Sequence, residues 1–414
     1  MMGSPKAICR FCEATLTRSF VDLGMSPLSN AYLTGEQLSS MEPYYPLRAF
    51  VCDSCFLVQL EQYETPAHLF GDYAYFSSYA ESWLAHARTY VDSMIDRFGF
   101  NSTSQVVEIA SNDGYLLQYF QQKNVPVLGV EPAANVAAVA RAAGIPTTVK
   151  FFGIETAQEL ASEGYSADLL IGNNVLAHVP ELNDFVAGFR KLLKANGIVT
   201  LEFPHLLELV LRNEFDTIYH EHFSYFSFLT AESVLAKHGL TVFDVQQLPT
   251  HGGSLRLFAR NANDTSRPIT PAVAGLRELE LDAGLRRVET YGRFAEQVKE
   301  TKRNLLEFLI AAKRAGKSIV GYGAPAKGNT LLNYCGIGND FLDYTVDRNP
   351  RKQGRFLPGS HLPICSPDRV RETKPDYLLI LPWNLKDEIV QQMAFVREWG
   401  GSFVVPIPRV EVLP

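Results

Sequence analysis

The chain has 414 residues, 46% apolar and 20% charged, enough for two or three domains that each bury a core. Its 38 basic and 45 acidic residues leave a net charge of -7 with no Lys/Arg-rich block, which argues against nucleic acid as the main partner. No run of about 18 apolar residues occurs, and MMGSPKAICR lacks the apolar core of a signal peptide, so neither membrane insertion nor export is expected and the cytoplasm is the expected compartment.

In chain order the first signal is a pair of CxxC knuckles, Cys9/Cys12 (CRFC) and Cys52/Cys55 (CDSC), while Cys335 and Cys365 stand alone. Four thiolates at this spacing can surround Zn²⁺ tetrahedrally, the reading favoured over a redox pair or disulfides. Four protein ligands leave no open position, so the zinc is expected to be structural, closing a small domain over residues 1–72. Behind Ser77 and Ser78 as caps, Trp83, Ala87, Tyr90, Val91, Met94 and Ile95 predict a helix to about Arg97. Strands at 105–110, 127–131, 146–151, 168–173 and 198–203 then alternate with helices from Tyr115 and at 135–143, 155–163 and 182–194, implying a doubly wound parallel sheet. A helix at 231–238 leads to strands 241–246 and 254–260 around the turn THGG. A terminal antiparallel hairpin distinguishes the class I methyltransferase layout, expected over 73–265, from a dehydrogenase. Residues 270–317 read as one long helix or a helical pair. They lead, within 266–414, to a smaller Rossmann-like αβα unit: strands 318–321, 342–346 and 377–381, helices 328–334 and 385–399, and a Pro/Gly loop at 350–363.

Two turns have the position of nucleotide sites. The first follows the strand carrying Glu108: SNDG, Ser111 to Gly114, with Asp113 inside it and Glu131 ending the next strand. A carboxylate there can accept both hydroxyls of an adenosine ribose, and Asn173 and Asn174 add polar edges at the fourth strand's end. Ala110 and Asn112 stand where glycines are expected. With the hairpin, this predicts S-adenosylmethionine as cofactor. The second turn is GYGAPAKG, Gly321 to Gly328. Its Gly323 and Lys327 can cradle a diphosphate on a helix N-terminus, and Asp347 ends the next strand where a ribose-binding carboxylate sits. It reads equally as a tight packing turn; if functional, it would hold a nucleotide-linked substrate rather than NAD.

YHEHFSYFS, Tyr219 to Ser227, crowds two histidines, a glutamate and four aromatic residues together. His220 and His222 reach one metal ion only from an extended segment, and H-E-H lacks the spacing of zinc proteases. Packing alone explains it well. Acid-base chemistry is the sharper reading, since carbon methylation needs a base next to a carbonyl and a donor for the oxyanion. Upstream, GDYAYFSSY offers Tyr73, Tyr75 and Tyr79, residues that are more often core than catalytic.

The ordered set CRFC, DLGMSPLSNAYL, CDSC, YFSSYAESW, VEIASNDGYLL, NNVLAHVPE, YHEHFSYFS and GYGAPAKGNTLL resembles the nucleotide-sugar C-methyltransferases over nearly the whole chain. That resemblance implies a zinc-binding domain, a methyltransferase domain and a C-terminal αβα domain. It places zinc on the four cysteines, the ribose of S-adenosylmethionine on Glu131 and its amino-acid part at Ser111 to Gly114. It makes His222 the general base, with Glu221, Tyr219, Tyr73 and His178 lining the sugar, Tyr75 beside them and the C-terminal turn on the diphosphate. The implied partner is a nucleotide-linked sugar, dTDP-type by preference: a 4-keto-6-deoxyhexose methylated at C3 through an enolate that a donor such as Tyr73 stabilises. A zinc-ribbon RNA methyltransferase and a sugar-nucleotide binder without turnover are the rival readings. Oligomeric state stays open, a monomer being compatible.

Overall fold

The computed structural model describes residues 7–71, 76–79 and 81–414. Tyr73 and Tyr75 lie outside them. Among the described residues no helix is long and apolar enough to cross a membrane.

The chain opens with strands β1 (Arg18–Ser26) and β2 (Tyr45–Val51), which pair antiparallel, then β3 (Val58–Leu60) and α1 (Pro66–Phe70). Helix α2 (Glu81–Phe98) turns the apolar stripe read from the sequence inward, burying Ala87, Tyr90, Val91 and Met94. Next come β4 (Val106–Ile109), α3 (Leu117–Gln122), β5 (Val127–Val130), α4 (Ala134–Ala142), β6 (Thr147–Thr148), α5 (Ile154–Ser162), β7 (Ala167–Asn173), α6 (Leu182–Leu192) and β8 (Leu193–Pro204). Edge strand β6 is shorter than expected, and β8 begins directly after α6 rather than at residue 198. Helix α7 (Leu206–Leu211) and strand β9 (Ser224–Tyr225) precede α8 (Phe228–Lys237). That helix starts three residues before the predicted Ala231, because the Ser227 hydroxyl caps the Thr230 N–H at 3.1 Å and Glu280 accepts from the N–H groups of Phe228 (2.5 Å) and Leu229 (2.9 Å). Strands β10 (Leu240–Leu248) and β11 (Ser254–Asn261) form the hairpin.

The long helix or helical pair expected over 270–317 is three helices, two long ones around a single turn: α9 (Pro271–Asp282), α10 (Val288–Tyr291) and α11 (Phe294–Arg314). Gly284, at φ +81°, donates to the Leu281 carbonyl while Leu285 donates to Glu280, a left-handed cap that ends α9. The last segment runs β12 (Ile319–Tyr322), α12 (Ala326–Cys335), β13 (Thr345–Val346), β14 (Ile364–Cys365), α13 (Arg369–Thr373), β15 (Tyr377–Ile380), α14 (Lys386–Gln392), β16 (Ser402–Val405) and β17 (Glu411–Leu413). The predicted helix over 385–399 is α14 followed by a 3-10 turn, and the two final strands were not expected.

Two compact units result. One takes the described residues of Met1–Leu16, Cys52–Leu206 and Phe223–Arg286; the other takes Thr17–Val51, Leu207–His222 and Arg287–Pro414. The first holds a seven-stranded sheet in the order β10-β11-β8-β7-β4-β5-β6, parallel from β8 to β6 and antiparallel at the hairpin. This is the class I methyltransferase order. Its core sets Val106, Leu169, Ile171, Ile198 and Phe258 of the sheet against Tyr90, Val91 and Met94 of α2, at about 1.5–3 kcal/mol for each large apolar side chain buried. The second unit's six-stranded sheet, β14-β13-β12-β15-β16-β17, is parallel except for β17, and its strands carry the Rossmann-like αβα arrangement.

Candidate active site

The two knuckles are copies of one turn. Glu13 donates to Cys9 O and Phe56 to Cys52 O, each at 2.9 Å, with Glu13 (φ 65°) and Phe56 (φ 63°) both left-handed. This brings the four cysteine sulfurs within 4.8 Å of one another, with Cys9–Cys55 and Cys12–Cys52 both 3.5 Å apart. Zn–S bonds of about 2.3 Å require sulfurs roughly 3.8 Å apart, so the set fits a tetrahedral zinc. Gln59 ties the knuckles together, donating to Cys9 Sγ at 3.1 Å and accepting from the Arg10 N–H at 2.9 Å. Among the described residues this is the one cluster of three or more potential metal ligands with that geometry; the HEH segment is not another.

At the first turn, Ala110 (φ 55°), Asn112 (φ 51°) and Gly114 (φ 80°) are all left-handed. Two positions where glycine was expected therefore keep glycine's backbone conformation with other side chains. Glu131 holds the turn from the end of β5: Oε2 accepts from Asn112 N–H and Oε1 from Ala133 N–H, both at 2.9 Å. Each oxygen keeps a lone pair for a ribose hydroxyl. Ser77 and Ser78, expected as caps of α2, instead dock on the turn. Ser77 N–H donates to Asn112 Oδ1 (2.9 Å), while Ser78 gives its N–H (3.1 Å) and hydroxyl (2.6 Å) to Asp113 Oδ2.

What the turn lacks is donors. Glu108 Oε2, Asp113 Oδ1, Ser111 Oγ and the side-chain oxygens of Asn173 and Asn174 are buried with no partner among the described residues. Burial, reinforced by Asp113 and Glu131 and opposed by the Tyr115 hydroxyl, pushes Glu108 well above the usual carboxylate range; burial and Asp113 also raise Glu131, against its two N–H partners. A site so rich in acceptors fits a ligand that brings ribose hydroxyls and an ammonium group. S-adenosylmethionine is such a ligand.

The YHEH segment belongs to the second unit. Residues 219–222 form a turn, with His222 N–H donating to Tyr219 O at 2.8 Å, so the extended backbone that a two-histidine metal site needs is absent. The two histidines face different partners. His220, buried, meets Pro46 O through Nε2 at 3.3 Å and the Tyr45 ring edge-on at 5.8 Å; burial lowers its pKa. His222, half-buried, places Nδ1 2.8 Å from Thr217 O and Nε2 2.8 Å from the Tyr219 hydroxyl. A carbonyl can only accept, so Nδ1 carries the proton and Nε2 is the bare nitrogen, accepting from Tyr219. Glu221, 4% exposed, accepts from Asn30 Nδ2 at 2.6 Å. Phe223 and Phe226 are core residues of the first unit, and Ser227 is the cap of α8. His178, in the first unit, ends a 3-10 turn against the Phe70 ring.

Family models match three consecutive stretches: a zinc binding domain over 9–70, a methyltransferase domain over 83–245 and a C-methyltransferase C-terminal domain over 249–408. C-methyltransferase NovU of Streptomyces niveus is 38% identical over 405 residues, 98% of this chain and 96% of that one. The chain belongs to the C-methyltransferase family. It is therefore an S-adenosylmethionine-dependent C-methyltransferase with a structural zinc. Among solved structures, the PH0226 protein of Pyrococcus horikoshii OT3 (16% identity, 48% of this chain and 99% of that one, TM-score 0.38) and magnesium protoporphyrin IX methyltransferase of Synechocystis PCC 6803 (16%, 44% and 82%, TM-score 0.33) are similar to it.

The C-methyltransferase's second turn is differently furnished. Asp347 Oδ2 accepts from Ala324 N–H and Oδ1 from Asn349 N–H, both at 2.8 Å. The Ala324 carbonyl takes the Tyr32 hydroxyl (2.6 Å) and the Lys352 ammonium (2.8 Å). Gly323 lies at φ +91° with Pro382 Cδ 2.6 Å from where a Cβ would stand. Lys327 donates to Asn384 Oδ1 at 2.9 Å and lies 4.4 Å over the Trp383 ring; burial lowers its pKa, against Asp216 and Glu214. Sequence reasoning also passed over a buried network on β8, β11 and α2. Glu202 there receives Arg256 (2.8 Å) and His86 (3.0 Å), which overcome its burial and hold it below the usual range. A lone Glu in a parallel strand was its only signal.

Proposed function

We propose that the enzyme C-methylates a nucleotide-linked 4-keto-6-deoxyhexose at C3, with a dTDP sugar as the preferred substrate and the cytoplasm as its place of work. The observation that carries this reading is the wiring of His222, with a donor on Nδ1 committed to Thr217 O and a bare Nε2. A neutral imidazole in that tautomer is a base matched to the weakly acidic proton beside a ketone. Nε2 takes the C3 proton, the pair left on carbon delocalises onto the C4 oxygen, and carbon becomes the nucleophile. Bound S-adenosylmethionine supplies an electrophilic methyl group.

The remaining roles follow from the chemistry. Tyr219 orients Nε2 until the sugar arrives. Glu221 and His178 line the sugar, and Tyr73 is the donor for the developing oxyanion, with Tyr75 beside it. Glu131 takes the ribose hydroxyls; Asp113 and Ser111 take the ammonium end; Glu108, Gly114, Asn173 and Asn174 complete that site. For the diphosphate, the sequence offers Gly323, Lys327 and Asp347. Asp347 already accepts from Ala324 and Asn349 N–H, Lys327 donates to Asn384, and two carboxylates stand near Lys327, so we assign these three to holding the turn.

His222→Asn tests the central claim. Turnover of a 4-keto sugar nucleotide should fall by about 100-fold or more, with the S-adenosylmethionine Kd within about threefold of the parent. Unaltered methylation by that variant would sink the base assignment, and label recovered as an O-methyl product would overturn the reaction type.

A further inference from the structure

His222 owes its reactive form to a carbonyl, and that carbonyl owes its place to residues far along the chain. Thr217 closes a one-turn 3-10 helix, Phe215–Thr217. A single turn has no stability of its own, so its peptide planes stay fixed only if side chains clamp them. Three clamps are present. The Thr217 hydroxyl donates to Glu214 O at 2.7 Å, Thr330 of α12 donates to Ile218 O at 3.1 Å, and Trp383 Nε1 donates to Asp216 Oδ2 at 2.7 Å.

The last clamp is the unusual one. Asp216 is fully buried, and among the described residues its Oδ1 has no hydrogen-bond partner and the indole N–H is the side-chain donor to its Oδ2. Trp383 is in turn pinned from above by the Lys327 ammonium over its ring. The backbone N–H groups of Asp216 and Thr217 also reach this carboxylate and Lys327 stands near it, yet burying a charge is costly, and packing alone would be served better by an apolar side chain. A directional requirement explains the choice. We propose that Asp216 and Trp383 are positioning residues for the base: their bond sets the Thr217 carbonyl so that His222 is held as the Nδ1–H tautomer. Free imidazole side chains favour the Nε2–H form, which would put a proton on the nitrogen that must accept one. Lys327 acts on the same clamp through the indole face.

This rests on His222 being the base, and imidazole ¹⁵N NMR of the full-length zinc-loaded protein separates the two claims because it needs no turnover. The parent should show His222, assigned by its loss in His222→Asn, with a protonated Nδ1 and a bare Nε2. Trp383→Phe keeps the ring under Lys327 and removes the N–H. It should move the His222 signals toward the Nε2–H form and lower kcat by about tenfold or more, with KM for both substrates within about threefold. Asp216→Asn, which keeps an acceptor for the indole, should retain most of the parent's tautomer preference. If Trp383→Phe does not fold, Thr330→Val, which removes the neighbouring clamp, should show the same shift in smaller degree. A His222 that stays Nδ1–H in whichever of these two variants folds overturns the proposal, even where His222→Asn has abolished turnover.

Discussion

Two βα turns in this C-methyltransferase invite comparison, because each follows a central strand where the strand order of a doubly wound sheet reverses, β4 in one unit and β12 in the other. In each, a carboxylate at the end of the next strand reaches back to the turn: Glu131 accepts from Asn112 N–H, and Asp347 from Ala324 N–H. The glycine-poor turn is the one left hungry for donors, with Glu108 Oε2, Asp113 Oδ1 and Ser111 Oγ buried around it and unpartnered among the described residues. The glycine-rich turn has its polar groups met by Tyr32, Lys352 and Asp347, and Pro382 fills the space that Gly323 opens. Glycines let a backbone approach something closely. Here that something is a proline, and unsatisfied polar atoms are the better mark of a ligand site.

Breaking the carboxylates should separate the turns most sharply. Glu131→Ala loses both proposed ribose acceptors and frees the Asn112 N–H, so calorimetry should show S-adenosylmethionine binding weaker by about 100-fold or more. Asp347→Ala should leave that affinity unchanged, and Lys327→Met should leave KM for the sugar nucleotide within about threefold. A tenfold rise in that KM would return the diphosphate to the second turn.

Gly323→Ala probes the packing. A Cβ at φ +91° and 2.6 Å from Pro382 should cost about 2–4 kcal/mol, read as a lowered denaturation midpoint. Further down in size, Glu214→Gln tests the charge beneath the second turn. Burial, with Asp216 adding to it and Lys327 opposing, raises Glu214 to about 7. The folded state therefore binds its proton more tightly than the unfolded chain, and that contribution is full below about pH 4.5 and lost as pH rises through 7. The variant should match the parent near pH 4 and exceed it by about 1–3 kcal/mol at pH 8; a variant less stable at pH 8 would mean the Lys327 attraction outweighs burial. The smallest effect belongs to Ala110→Gly, which relieves a left-handed alanine and should change stability by about 1 kcal/mol or less, toward the stable side.

How much of this was legible differs by region. The knuckles were readable because two CxxC pairs at zinc spacing need no tertiary information, and the alternating strands and helices of the first unit were readable because their periods are local. Boundaries slipped where distant residues decide them. Glu280 starts α8 early, the left-handed Gly284 breaks the long helix, and β16 and β17 are too short for any period to show. At the site, Ser77 and Ser78 read as helix caps because caps are the commonest local use of serine; their bonds to Asn112 and Asp113 exist only once the turn has folded beside them.

By itself the sequence determined the metal ligands and the order of elements, since each depends on residue type and period at short range, and it named on the same grounds the acidic residue and the histidine proposed here for the ribose and the base. Tertiary structure decided which of two similar turns keeps free acceptors, which nitrogen of His222 is bare, and that Asp216 and Trp383 meet across the chain. The first and last turn on hydrogen-bond partners separated by tens to hundreds of residues, while the partners of His222 are near in sequence but are aimed by the folded turn; no local pattern encodes whether a buried donor will find its acceptor.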